Sequence, residues 1–420
     1  MRGLNGQAHL MLATTLITNV GNGMHLLTVG KLMYDHTGAA TMFGAVIVLE
    51  YVAAFVFQVL AGPWVDRGDP KWSCVIACLV RGLTILLAAL MLHLQDQIAW
   101  VVLSSLVIQA IKPFYRSAQF ALIPAIVPAA SLMRFNSYNG ICLQVGQLAG
   151  VALVGPLLVF GGAPLALSLN GTGFLIAAVL SLMLTTHVVR EAAMDTAKVA
   201  GGWLVRAVRE WLAALSVMRA SPTLFWLLLF AAGDFLLVGL VNLLLAPMID
   251  ARYGGNENWL SILDGGFAAG AMATAFVVER VSRRFGDRNA VLIGLGGQFA
   301  GLLALAFVSQ PFAGLAFMVV IGGANTISSV VLLSALQEHA PSGYRGRLSS
   351  IRNIYLAAFG GILVPLVSQL EKHSLSHALL ASAFTGLFFW SVVYVMSHPR
   401  RRRGAVLGGM LRTAAAPGSG

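Results

Sequence analysis

Val65-Asp66-Arg67 recurs 213 residues further on as Val278-Glu279-Arg280. Val127-Pro128 followed by Arg134 recurs as Ala340-Pro341 followed by Arg347, with the proline and the arginine again 213 residues apart. The pairs Ala121-Leu122 and Ala335-Leu336 also correspond, one residue out of step. A single spacing that serves two separate loops in each half implies two parallel copies of one unit.

What lies between these loops is too apolar for water. Of 420 residues, 58% are apolar and 10% charged, and the mean hydropathy is +0.82. Soluble chains run at about 45–50% apolar and about 25% charged. The composition therefore excludes a water-soluble globular protein, a disordered chain, a fibrous repeat and a disulfide-rich secreted domain. Cys74, Cys78 and Cys142 all lie in apolar runs and read as small core residues. A membrane span needs about 20 apolar residues. Such runs occur near 9–31, 41–63, 73–93, 98–120, 137–160 and 165–187, and again near 223–247, 259–279, 290–309, 312–336, 350–370 and 377–397. Inside a bilayer only helices satisfy their own backbone groups on this scale. The expected architecture is all-α and integral to the membrane, with twelve transmembrane helices as two six-helix pseudo-repeats. Repeats of this kind enclose a shared cavity with a site near the bilayer midplane.

Basic residues set the orientation. With the N-terminus cytoplasmic, the inner side receives Arg67 and Lys71, Arg134, the group from Arg190 to Arg219, Arg280 to Arg288, Arg345 and Arg347, and Arg400 to Arg403. The outer loops keep little beyond Lys31, Arg252 and Lys372. The formal net charge of +11 is thus a topogenic signal facing anionic lipid, not a nucleic-acid footprint. Both termini are expected in the cytoplasm. The expected division is an N-terminal bundle (1–187), a cytoplasmic linker (188–222), a C-terminal bundle (223–399) and a basic tail (400–420). In the linker, Leu204, Val208, Trp211, Leu212 and Leu215 share a helical face, with Arg206, Arg209 and Glu210 elsewhere, as in a surface-lying helix.

Gly62-Pro63-Trp64-Val65-Asp66-Arg67-Gly68-Asp69-Pro70-Lys71 resembles the loop 2–3 signature of the major facilitator superfamily, and the resemblance extends over essentially the whole chain. Trp72 stands where that signature commonly has a second basic residue, and Gly155-Pro156 is separated from Gly161-Gly162 by four residues instead of the two of the family's antiporter motif. Three further stretches are similar to the branch of enterobactin-type siderophore exporters and macrolide efflux proteins. They are Tyr34-Asp35-His36-Thr37-Gly38, the run from Leu122-Ile123-Pro124 to Asn136, and Gln337 through Pro341 to Arg345-Gly346-Arg347. The resemblance implies a gating role for Gly62, Asp66, Arg67 and Lys71. Asp66 would accept from the amides that open a helix of the other half, with Arg67 pairing across the interface and Glu279-Arg280 as a weaker twin near Arg283 and Arg284. Topogenic charge and a tight turn at Gly62 are the plainer alternative. Gly146, Gly150 and Gly155 suit close helix contacts.

Charges inside spans cost about 2.5–3.5 kcal/mol on insertion scales and mark function. Glu50, Asp234 and Asp264 lie mid-span, and Tyr51 lies 213 residues before Asp264. The three acids are candidates for a coupled proton; the alternative is a static ion pair with Lys112. Lys112 also suits an anionic substrate group, while Arg116 and Arg81 lie nearer the inner side. His25 is a candidate cavity residue or a hydrogen-bonded core group. Asn19, Asn22, Gln109, Asn242 and Asn325 line the cavity if the family's fold holds, and Phe114, Tyr115, Phe225, Trp226 and Phe235 suit a multi-ring cargo. No nucleotide-binding glycine loop and no metal-ligand spacing occur, so no cofactor is expected and an ion gradient must supply the energy. The expected activity is not enzymatic. It is secondary transport by alternating access: proton-driven export of a small amphiphilic molecule, a siderophore or antibiotic-like compound, from a bacterial inner membrane. The expected partners are that cargo and the bilayer, for a monomer that binds no nucleic acid. A lysophospholipid-type flippase, an importer and a non-transporting sensor are the rival readings.

Overall fold

The computed structural model describes residues 4–37, 40–95, 98–185, 203–256 and 258–396. These form thirteen helices, with no strand among the described residues. They are α1 (Gly6–Thr37), α2 (Ala40–Arg67), α3 (Pro70–Gln95), α4 (Ala99–Ile126), α5 (Ala129–Leu182), α6 (Trp203–Ala220), α7 (Pro222–Arg252), α8 (Asn258–Ala275), α9 (Val278–Phe285), α10 (Asp287–Phe307), α11 (Pro311–His339), α12 (Arg345–His373) and α13 (Leu375–Met396). Thirteen helices match twelve spans because α5, at 54 residues, is two of them. Its chain turns at Gly162, where φ is +66°, a value that favours a residue without Cβ. The helices α6 and α9 are short additions outside the twelve.

Seven helices are long and apolar enough to cross a bilayer on those criteria alone, and α8 joins them when taken with α9 across a 57° bend. Polar residues within α1 (Asn19, Asn22, His25) and α4 (Gln109, Lys112, Arg116) are what keep those two helices below the threshold. They are the same residues expected to face a cavity.

Two compact units emerge. One gathers Met1–Ser131, Ile141–Ala214 and Ala340–Ser350; the other gathers Leu132–Gly140, Leu215–His339 and Ile351–Gly420. Each therefore takes in the opening turns of a fifth-position span from the other half of the sequence. The first is cored by Val29, Met33, Ile85, Val101, Ile108, Leu167 and Phe174. The second is cored by Leu240, Leu244, Met248, Leu263, Leu302 and Met318. Cys74 and Cys78 are buried in the first unit, as the apolar context predicts, and Cys142 is partly covered.

Close helix approach explains two of the three span-five glycines. A Cβ on Gly150 would lie 2.1 Å from the Val20 carbonyl oxygen, and one on Gly146 would lie 2.7 Å from that of Leu16, whereas Gly155 has nothing within 4 Å. Overpacking of this kind costs about 1–3 kcal/mol. Gly150→Ala is expected to lower the unfolding midpoint of the detergent-purified protein and Gly155→Ala to leave it in place; equal midpoints would remove the packing account.

The linker helix departs from expectation. Among its described side chains, Glu210, Ala214 and Met218 are the buried ones, while Leu212 and Leu215 are exposed. Glu210, expected among the solvated residues, turns inward because a guanidinium is there to meet it. Residues 186–202, which hold most of the expected basic linker, and the tail from 397 lie outside the described residues.

Candidate functional site

Asp66 ends α2 at the edge of the apolar run. Its Oδ1 accepts from the Gly346 amide at 2.6 Å and its Oδ2 from the Arg347 amide at 3.0 Å, at the first turn of α12. The Arg347 guanidinium completes an ion pair, with Nε 3.2 Å from Oδ2. A carboxylate on the free amides of a helix N-terminus is favoured by the dipole and by the otherwise unpaired donors. The side chains are 1% and 11% exposed, so little water screens them. Two glycines permit the approach: a Cβ on Gly346 would stand 2.6 Å from the Gly62 carbonyl oxygen, and one on Gly62 would stand 2.8 Å from Arg347 Cα. Gln58 Nε2 donates to Ser350 Oγ at 2.8 Å along the same contact.

Arg67 does not pair with a basic-end group of α12. It donates to Oε1 of Glu210 in α6, through Nε at 2.8 Å and through Nη2. The Glu210 carbonyl oxygen in turn accepts from Arg347 Nη1 at 3.4 Å. Lys71 is half-buried at the start of α3, where its amide is taken by Asp69 Oδ1 at 2.8 Å.

The second copy of the motif pairs in the same pattern with different chemistry. Glu279 accepts from Arg134 Nε and Nη2, both at 2.8 Å, and from Arg283 Nη2 at 2.5 Å. Since 66 + 213 = 279 and 134 + 213 = 347, the Asp66–Arg347 and Glu279–Arg134 pairs are equivalent under the repeat. Glu279 binds side chains where Asp66 binds amides, and Arg284, expected beside it, lies over the Phe285 ring instead. A cavity of about 280 Å3 remains around Glu279, lined by Arg134, Ser137, Tyr138, Phe276, Arg280 and Arg283. Arg280 itself is exposed. The hydrogen bond from Arg134, with the charges of Arg134 and Arg283, holds the Glu279 carboxyl below the usual carboxylate range against the opposing push of burial. A lowered pKa means the pair is fully present above the solvated value and is lost only as pH falls through the lowered one. Between pH 5 and pH 8 the Glu279→Gln variant should therefore alter transport by a constant factor, visible as parallel pH–rate profiles.

In α7, Asp234 is 1% exposed. Its Oδ1 accepts from Ser328 Oγ at 2.5 Å and Gln298 Nε2 at 2.8 Å, and its Oδ2 from Asn325 Nδ2 at 3.1 Å. Arg352 is near enough for its charge to act on the acid. Three neutral donors thus surround it, where the sequence suggested a lysine. Gln298 Oε1, in the same cluster, is buried without a partner. Asn325, expected to line a cavity, is here a ligand of the acid. Asp264 and Asn242 are exposed on their helices, and the side chain of Glu50 lies outside the described residues.

In the other unit His25 is buried, with Nε2 2.9 Å from Ser105 Oγ, as a hydrogen-bonded core group would be. Arg81 and Lys112 lie close enough for their charges to reach it. Arg81 is buried, donates to Asn22 Oδ1 and stacks over Phe174 at 4.0 Å, so it serves neither loop. Lys112 is half-buried and Arg116 exposed. Of the aromatic candidates, Tyr115 is buried, Phe225 packs on Trp226 at 5.2 Å, Phe235 is exposed and Phe114 lines an apolar cavity.

The model of the Major Facilitator Superfamily matches residues 11–365. The chain belongs to this superfamily. Among curated relatives of this superfamily chain, the tetracycline resistance protein, class C, of Escherichia coli is 24% identical over 415 residues, covering 96% of this chain and 98% of that protein. The class E tetracycline resistance protein of Escherichia coli is 21% identical over 328 residues, 74% of each chain. An uncharacterized MFS-type transporter of Bacillus subtilis (strain 168), YfmI, is 21% identical and covers 88% of this chain and 93% of its own length. Among solved structures, a bacterial homologue of the iron transporter ferroportin has a TM-score of 0.71 at 17% identity, with 93% of this chain and 100% of that chain covered. The Escherichia coli fucose:proton symporter FucP has a TM-score of 0.70 at 16% identity, covering 92% and 98%. The protein is therefore a transporter of the superfamily fold and not an enzyme.

Sequence reasoning about this superfamily chain passed over Glu210, Gln298 and Ser328. Gln298 carried a signal, an amide within the apolar run of α10. Ser328 carried none, since a serine satisfies itself on its own helix backbone, as this one also does through Ala324.

Proposed function

We propose that this protein exports small amphiphilic molecules, of the siderophore or antibiotic-like class, across a bacterial inner membrane in exchange for protons. Its termini lie in the cytoplasm, and the two halves, 1–187 and 223–399, rock about a central cavity. The observation that carries the coupling is Asp234: a carboxylate mid-span, buried, and surrounded by neutral donors that hold it as either acid or anion. Export as the direction rests on the resistance proteins that align along nearly the whole chain. Asp66, with Gly62, Arg67 and Lys71, is the latch at the basic end, and Glu279 with Arg280 is its repeat-related partner.

The test uses inside-out vesicles from a host stripped of its own exporters. Cargo accumulation should follow an imposed proton gradient and collapse with a protonophore. Candidates come from comparing the spent medium of cells with and without the gene, in iron-replete and iron-starved growth, and from drug susceptibility. Gradient-independent movement of lipid, with none of soluble cargo, would favour the flippase reading instead.

A further inference from the structure

A second cavity, of about 920 Å3, lies within the first unit, away from the intramembrane acid. Phe55, Val56, Val59 and Leu60 of α2, Ile76 of α3 and Phe114 of α4 give it apolar walls, and Trp211 of α6 closes one side. Phe114 braces the wall against Phe57 and Trp64, at 6.4 and 6.3 Å between ring centroids. Its size is that of a site for a drug-sized or single-chain ligand. Its position says which ligand. Trp64 and Trp211 flank it at the end of the spans, where indoles favour the membrane–water boundary. Its apolar side chains Phe55, Val56 and Ile76 are exposed where a bilayer surrounds the helices.

The charge at the mouth completes the recognition. Arg67 lines the cavity with its side chain 52% exposed, while the carboxylate that pairs with it, Glu210, is covered at 6%. An approaching headgroup therefore meets the cation and not its counter-ion. Lys71, one turn from the lining residue Ser73, adds a second basic group at this end, and Asp69 is turned back onto the Lys71 amide.

We infer that this cavity binds an anionic phospholipid of the adjoining leaflet, an acyl chain lying between α2, α3 and Trp211 and the phosphate on Arg67. The site bears on the latch. Arg67 holds Glu210, the Glu210 carbonyl holds Arg347, and Arg347 holds Asp66, so a phosphate drawing on Arg67 competes with Glu210 for the same guanidinium. Bound lipid thereby loosens α6 from the Asp66–Arg347 contact without touching the intramembrane acid.

Native mass spectrometry of the detergent-purified full chain tests this, with phosphatidylglycerol, phosphatidylethanolamine and phosphatidylcholine titrated separately. Phosphatidylglycerol should be retained about fivefold more strongly than phosphatidylcholine, the scale of one basic group near a membrane surface. Arg67→Gln should erase that preference while keeping an adduct, and Val59→Trp, which fills the cavity, should remove the adduct. Val59→Phe serves if the larger side chain prevents folding, as judged by its unfolding midpoint. Equal retention of the three lipids by the wild type, stronger retention of phosphatidylethanolamine, or adducts that survive both cavity-filling variants overturns the proposal, as does copurification of a small non-lipid amphiphile displaced by Val59→Trp.

Discussion

Asp234→Asn is expected to abolish gradient-driven export while leaving a folded protein that still equilibrates its cargo downhill. The substitution keeps the size of the side chain and removes its capacity to ionise. Two of its neighbours point donors at Oδ1 and a third points one at Oδ2. An amide nitrogen can face only one side of that arrangement, so one donor loses its acceptor, at a cost of about 1–3 kcal/mol. That is tolerable against a stability of about 5–15 kcal/mol. Loss of proton exchange is not tolerable to a pump, because without a titrating group the gradient has nothing to act on. Counterflow in vesicles should remain near the wild-type rate, and accumulation against a gradient should fall to that of empty vesicles. Full accumulation by Asp234→Asn would move the coupled proton to Glu50 or Asp264.

The way these sites emerged shows where sequence reading has power. Hydropathy alone locates the spans, because a bilayer demands long apolar helices and penalises anything else. The 213-residue spacing locates both latch loops, since a repeat preserves position as well as composition. It even contains the crosswise pairing: Asp66 and Arg134 recur as Glu279 and Arg347, and each acid meets the arginine from the other copy. What it does not contain is the donor type. Whether a carboxylate meets helix-end amides or a guanidinium depends on a close approach, here allowed by Gly62 and Gly346, that residue spacing does not encode. The same limit applies to Arg67. An arginine beside a membrane reads as topogenic on composition, and only the packing of α6 shows that Glu210 is turned to meet it. Partners of buried groups were the least legible, because Ser328, Gln298 and Asn325 reach Asp234 from helices far along the chain.

That difference between equivalent pairs leads to unequal consequences for equivalent mutations. Asp66→Ala takes one partner from a pair whose side chains are 1% and 11% exposed, and leaves two helix-end amides and a covered guanidinium unsatisfied. Breaking a buried pair in this way costs about 3–5 kcal/mol. Glu279→Ala acts on side chains 22% and 30% exposed beside an open cavity, where Arg134 and Arg283 can turn to water. Exposed pairs are worth about 0.2–1 kcal/mol. If the first pair closes the basic end in one transport state, a loss of that size shifts the balance of states by more than about a hundredfold. The second shifts it by less than about tenfold. Labelling of a cysteine placed on the basic-end lumen should therefore rise sharply in Asp66→Ala and little in Glu279→Ala, with transport falling in the same order. The cycle Asp66→Ala, Arg347→Ala and the double variant should return a coupling energy well above that of Glu279→Ala with Arg134→Ala. Equal effects in the two copies would mean that the repeat, and not the burial of Asp66, sets the strength of the latch.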